Sequence, residues 1–319
     1  MAEPHDRQAG GPPPDPGVAS VRTVIVAVAA NLLVAVAKGV AALLTGSAAL
    51  TAETAHSIAD TCNEIFLYVG VRRGRRAPDE QHPFGYGQAR YFWSLLAAVG
   101  IFVIGGLVAI YDGIHSLTHP EPLTDVPIGI AVILVSAVLE GMSWRTARSE
   151  LRAEAASRHR DLADHIATSS NPTPTTVFFE DTAALIGLAL ALTALLLHMV
   201  TGSAIPDGIA SLLIGVLLIV ASYVLARRNA ALLIDESAPA DVRDRLRAVV
   251  AAEPWVADVP DLTAVRIGPG QLLLLVDVVP VDGADIVAGI DNLRTALLAM
   301  PVVSRVEITP VPAAGRRSA

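Results

Sequence analysis

The run ETAHSIADTCNE at residues 53–64 sets a histidine and an aspartate four residues apart inside an otherwise apolar stretch. In a helix each residue advances by about 100°, so Glu53, His56, Asp60, Asn63 and Glu64 share roughly a third of the circumference. His56 and Asp60 then stack on one face. Adjacent acids, Glu180 and Asp181, stand in VFFEDTAAL, and Glu140 and Asn31 interrupt two further apolar stretches. One imidazole with several carboxylates is a donor set for tetrahedral Zn²⁺, and Mn²⁺, Fe²⁺ or Co²⁺ accept the same donors. A dication also lets carboxylates stay ionised where apolar surroundings would otherwise protonate them. Metal and protons then compete for one site. Glu180 and Asp181 point about 100° apart, so they do not both aim at one ion.

The elements that must position these groups are long and apolar. Six stretches, 21–44, 48–70, 91–114, 127–147, 173–199 and 205–226, each supply the roughly 20 residues that a helix needs to cross a bilayer. Lipid satisfies no backbone polar groups, so the spans are helices. Counting about 1.5 Å per residue from the arginine-rich ends places Asp60 and Asn31 about 15 Å deep, Asp181 about 12 Å and Glu140 about 10 Å. Four helices thus bring polar groups to one level, where ionisable residues imply function. Asn31 and Glu140 also suit plain interhelical hydrogen bonding.

The joints near 45–47, 115–126 and 200–204 lack Lys and Arg, whereas the alternate joints carry Arg72, Arg73, Arg75, Arg76 and Arg90, then Arg148, Arg152, Arg158 and Arg160, then Arg227 and Arg228. Positive residues collect on the cytosolic side, so both termini are expected there, in a bacterial plasma membrane. Lys38, about 26 Å from the inner end of its span by helical rise, is expected to snorkel to the outer interface. Asp207 is expected to help start the sixth helix. Cys62 reads as a small buried hydrophobe.

Residues 1–20 read as a disordered cytosolic tail, 21–226 as the six-helix transport domain, 227–238 as a linker and 313–319 as a second disordered tail. Residues 239–312 read as a cytosolic α+β unit of ferredoxin-like type. Its helices are expected at 239–252 and 284–299, and its strands at 262–268, 271–280 and 303–309. A net charge of −8 argues against a nucleic-acid partner, which calls for a basic stripe.

The segments TGSAALTAETAHSIADT at 45–61, HPFGYGQARYFWSL at 82–95 and DGIASLLIGVLLI at 207–219 resemble the cation diffusion facilitators, six-helix metal–proton antiporters with a cytosolic C-terminal domain. SIADTCNE, RYFWSLLAAVGIF at 90–102 and FFEDTAALIG at 178–187 resemble the family's zinc transporter nine-like branch. The resemblance implies a homodimer that exports zinc or a similar divalent metal from the cytosol in exchange for protons. The metal is then a substrate; no cofactor is implied. It also implies that His56, Asp60 and Asp181 are the metal ligands. Val177 stands where most zinc members carry a histidine, which leaves Glu180, Glu53, Glu140 or water for the fourth position, with Asn63 and Asn31 as further polar candidates. Tyr86 replaces a loop histidine, and the chain beyond His198 has none, which argues against His-rich regulatory zinc sites. His82 reads as part of a loop turn, His115 and His119 as exposed, and His159 and His165 as part of a solvated helix. Two other classes use the same residues: a proton-coupled transporter of an organic solute, and a metal-dependent intramembrane enzyme. No nucleophile motif or phosphate-cradling loop accompanies the cluster.

Overall fold

The computed structural model describes residues 21–157, 161–163, 166 and 172–312. The expected tails at 1–20 and 313–319, with Arg158, Arg160, His159 and His165, lie outside the described residues.

Six long helices form a bundle: α1 Val21–Thr45, α2 Ala48–Gly74, α3 Ala89–Thr118, α4 Val126–Ser157, α5 Pro172–Thr201 and α6 Ile205–Leu233. All but α2 contain a segment long and apolar enough to cross a membrane by length and composition. The polar face of α2 carries the residues that interrupt its apolarity, and α2 lies against α1, α3, α5 and α6. Its polar groups therefore face protein, where partners exist, and not lipid. The helices outrun the expected spans. The sixth in particular continues through Leu233, so residues 227–233, expected in the linker, belong to α6.

Thr45, Gly46 and Ser47 make the α1–α2 turn, with Gly46 at φ 68°. That left-handed conformation suits glycine. Ser47 caps α2 by accepting from the Leu50 N–H. Asp207 stands in the first turn of α6, as the sequence reading expected, but its side chain serves another helix. It is fully buried and accepts from Ser47 Oγ at 2.6 Å and from the Ala48 N–H at 2.6 Å. The orphan N–H groups of Ala48 and, more distantly at 3.4 Å, of Ala49 are thus satisfied by a carboxylate from α6.

Residues Ile101–Leu107 of α3 are wound as a π-helix. This turn brings Gly105 against α2 and α6: a Cβ there would collide with Leu218 and stand 3.9 Å from the His56 Cα. The missing side chain lets three helices meet beside His56.

After α6 come α7 Ala240–Ala251, β1 Val256–Gly268, β2 Gln271–Pro280, α8 Ile286–Leu298 and β3 Val303–Pro310. The sheet order is β1-β2-β3, antiparallel then parallel. A ferredoxin-like unit has two βαβ halves. Here, among the described residues, the β2–α8–β3 half is complete and the strand that would precede α7 is reduced to a bridge, in which Ser237 pairs antiparallel with Val265 of β1. β1 begins six residues before its expected start, and its pairing with β2 shifts register around Pro260. Proline has no N–H for the ladder, so a bulge accommodates it. Leu246, Val250, Leu274, Val278, Leu293 and Leu297 fill the core between helices and sheet.

Candidate metal site

The α1–α2 hairpin sets the first contacts. Lys38 and Glu53 lie at matching distances from the Gly46 turn and meet across the antiparallel pair, with Nζ 3.0 Å from Glu53 Oε2 and both side chains fully buried. Nζ also donates to Ser57 Oγ at 2.9 Å. The expected snorkelling of Lys38 does not occur, because an acid on the neighbouring helix neutralises it in place.

One turn further towards the sheet domain, His56 Nδ1 stands 3.4 Å from Asp60 Oδ1. That contact lacks hydrogen-bond geometry, and both His56 ring nitrogens and Asp60 Oδ1 are buried without a hydrogen-bond partner. Beyond them two interhelical bonds close the polar face. Asn31 of α1 donates to Glu64 Oε1 at 2.8 Å, and Asn63 donates to Glu180 Oε1 of α5 at 2.6 Å. Glu64 Oε2 and Asp181 Oδ2 are also buried and unpartnered. Asp181 lies within electrostatic reach of Glu140 and Asp60, and Glu140 within reach of Lys38, Asp60 and His56. Beside Asp181, Trp144 of α4 donates to Thr182 Oγ1 at 2.9 Å, which ties α4 to α5.

The adjacent acids therefore part, as their 100° offset requires: Glu180 is taken by Asn63, and Asp181 keeps an open oxygen. Glu53 is likewise taken by Lys38. Among the described residues no three His, Cys, Asp or Glu side chains converge closely enough to hold a metal ion in this arrangement. What the structure assembles is a wall of unpartnered donors. Buried polar atoms without partners are uncommon and costly, and these have the charge and chemistry that a dication or protons would satisfy.

A cavity of about 1390 Å³ lies between the α2–α3 loop, α4 and the β1–β2 turn, and its lining includes Ser143 and Val177. Val177 is one helical turn from Asp181.

The sequence matches the cation efflux transmembrane domain over residues 24–234. The chain belongs to the cation efflux family. It is 33% identical over 251 residues to the mitochondrial proton-coupled zinc antiporter SLC30A9 of Mus musculus, covering 79% of this chain and 44% of that protein. Metal tolerance protein C4 of Arabidopsis thaliana is 34% identical over 220 residues, 69% of this chain and 48% of that protein. The cation-efflux pump FieF of an Escherichia coli O127:H6 strain is 24% identical over 312 residues, 93% of this chain and 96% of the pump. The chain spans less than half the length of the first two. The cation efflux family is one of membrane transporters, not enzymes, and this member is an integral membrane protein.

The matched cation efflux domain contains every candidate residue named above. Its α2–α3 loop is ordered around Asp79, which accepts from Tyr86 Oη at 2.6 Å and from the Gln81 and His82 N–H groups. The Tyr86 hydroxyl, with these backbone donors, holds the Asp79 carboxyl below its usual range, and the same bond raises the Tyr86 phenol. The His82 ring packs against Tyr86 with centroids 4.0 Å apart and the planes tilted by 32°. Tyrosine thus satisfies Asp79 by a hydrogen bond where the family resemblance led to a second histidine. His115 and His119 stack at 5.0 Å at the exposed end of α3. Cys62 is half-buried and free.

Three participants escaped the candidate set drawn from sequence. Glu64 was on the polar face but not carried into the site. Lys38 and Ser57 were legible only by counting outward from Gly46 on both arms of the hairpin, which puts Lys38 level with Glu53.

Proposed function

We propose that this cation efflux protein is a proton-coupled divalent metal antiporter whose leading cargo is zinc, with manganese, iron and cobalt as chemically acceptable alternatives. The observation that carries this reading is the set of buried, unpartnered donors on His56, Asp60 and Asp181. The donor types suit Zn²⁺, and the name of the Mus musculus relative describes a proton-coupled zinc antiporter.

In this reading His56 and Asp60 present their donors on one face of α2. Movement of α5 against α2 brings Asp181 to the same ion, and Glu140 or water completes the coordination, since Glu180 and Glu53 already hold Asn63 and Lys38. Ions enter from the cavity beside Val177. When the ion leaves, the carboxylates take up protons, so metal outward and protons inward share one set of oxygens. Six spans with both termini cytosolic follow from the arginine distribution, and a bacterial plasma membrane and a homodimer complete the proposal.

The test is metal-driven proton movement in proteoliposomes of the purified chain, read with an internal pH dye for Zn²⁺, Mn²⁺, Co²⁺ and Fe²⁺ separately. Proton flux that requires both metal and Asp60 is expected. Absence of flux with every metal, from folded and inserted protein, overturns the reading.

A further inference from the structure

Four arginines from separate parts of the chain converge on the cavity between the α2–α3 loop, α4 and the β1–β2 turn. Arg75, Arg76, Arg90 and Arg305 line it, against two carboxylates, Glu150 and Glu154. Arg76 follows the end of α2 and Arg305 belongs to β3, yet both rest on rings of the α2–α3 loop. The Arg305 guanidinium carbon lies 5.1 Å from the centre of Phe84, and that of Arg76 lies 5.9 Å from the centre of Tyr86. An aromatic face holds a cation in place without cancelling its charge. Arg305 also approaches Glu307 at 3.7 Å, but exposed pairs of this kind contribute little. Arg75 and Arg90 make further contacts within the protein. One wall is closed where the loop meets the sheet, since a Cβ on Gly87 would run into the Ile267 carbonyl.

The cavity continues into an apolar face. Ser143, Thr146 and Glu150 of α4 line it, and Val135, Leu139 and Met142 lie within about 100° of them around the helix, on the membrane side. All three are apolar and exposed. Cations at the edge of a span, with an exposed apolar stripe beyond them, match an amphiphile that has an anionic head and hydrocarbon tails. A free phosphate would use only the first half of that arrangement. Basic pockets beside transmembrane helices are where anionic headgroups bind.

We propose that this cavity binds the headgroup of an anionic phospholipid, with Arg76 and Arg305 on its phosphate and its acyl chains along Val135, Leu139 and Met142. Glu150 opposes the headgroup and limits its affinity. A bound phosphate also offsets positive charge that would repel a dication entering beside Val177, so on the antiporter reading the lipid eases ion entry. The site itself does not depend on that reading.

Native mass spectrometry of the full-length protein, purified in mild detergent without added metal, tests this by counting bound lipid. Phosphatidylglycerol and phosphatidylcholine are titrated in turn, with inorganic phosphate as competitor. Wild type is expected to hold one phosphatidylglycerol per protomer and to prefer it about tenfold or more over phosphatidylcholine. Arg76→Gln/Arg305→Gln, both at exposed positions, is expected to lose that preference. Arg243→Gln/Arg245→Gln removes the same charge from exposed positions on α7 and is expected to keep it. Glu150→Gln is expected to bind phosphatidylglycerol more tightly, and it decides alone if the Arg76/Arg305 variant does not fold. Equal binding of the two lipids by wild type, or displacement by inorganic phosphate at matching concentration, overturns the proposal. So does equal loss in the two arginine variants, or a Glu150→Gln protein that binds no tighter. None of these readouts uses metal, so failure here and failure of the antiporter reading are separate results.

Discussion

Asp207, the third residue of α6, receives the Ser47 hydroxyl and the Ala48 N–H, each at 2.6 Å, and so caps a helix 159 positions away in sequence. The bond fixes the starts of α2 and α6 against each other at the end of the bundle remote from the sheet domain. Capping groups are worth about 0.5–2 kcal/mol, and loss of a buried charged acceptor adds to that. Asp207→Ala is therefore expected to destabilise the protein by about 2 kcal/mol, with Asp207→Asn in between. Thermal unfolding in detergent measures this, and equal melting of the alanine variant and wild type would show that the cap is dispensable.

Asp60→Ala and Asp181→Ala each remove an unpartnered buried oxygen from the proposed ion path while leaving the interhelical bonds of Asn31 and Asn63 in place. Outer partners of metal ligands already cost about 10–100-fold when lost, so direct donors are expected to cost at least about 100-fold in metal-driven proton flux. Expression and monodispersity should persist. Normal flux from either variant in proteoliposomes would remove that residue from the site.

Val177→His puts an imidazole one turn before Asp181, at the lining of the cavity on the sheet-domain side. A fourth protein donor should tighten Zn²⁺ binding by about tenfold or more, because tetrahedral zinc favours nitrogen over water. Calorimetric titration reads this directly. An unaltered affinity would mean that the fourth position is already filled, in which case Glu140 becomes the residue to replace.

Asp79 lies in the α2–α3 loop, outside the helices, with its pKa lowered chiefly by the Tyr86 hydroxyl. A group whose folded pKa is depressed contributes order above its unfolded value, about 3.9 for aspartate, and loses it as pH falls through the folded value. Loop order should therefore hold at neutral pH and decline only on the acid side of about pH 4. Tyr86→Phe removes the largest contribution and should move that decline to higher pH. Hydrogen exchange of residues 79–88 across an acid series is the measurement, and superimposable profiles would show that the phenol does not tune Asp79.

The long helices were legible because lipid imposes a length, and the polar face of α2 because 3.6 residues per turn stacks Glu53, His56, Asp60 and Glu64 on one side. The αββαβ order of the small domain was legible from the alternation of its strands and the glycine turn at Gly268–Gly270. Local periodicity carries all of that information. The sequence by itself thus determined the order of the elements, the polar face of α2 and the family to which the chain belongs. Tertiary structure alone decided which buried charges are already satisfied. Lys38 with Glu53, Asn31 with Glu64, Asn63 with Glu180 and Asp207 with Ser47 each join residues from different helices. Their pairing depends on helix rotation and depth, to within about the 3 Å reach of a hydrogen bond. Hydropathy along one chain does not encode that precision, and it is what separates the acids already occupied by partners from those with an unpartnered oxygen.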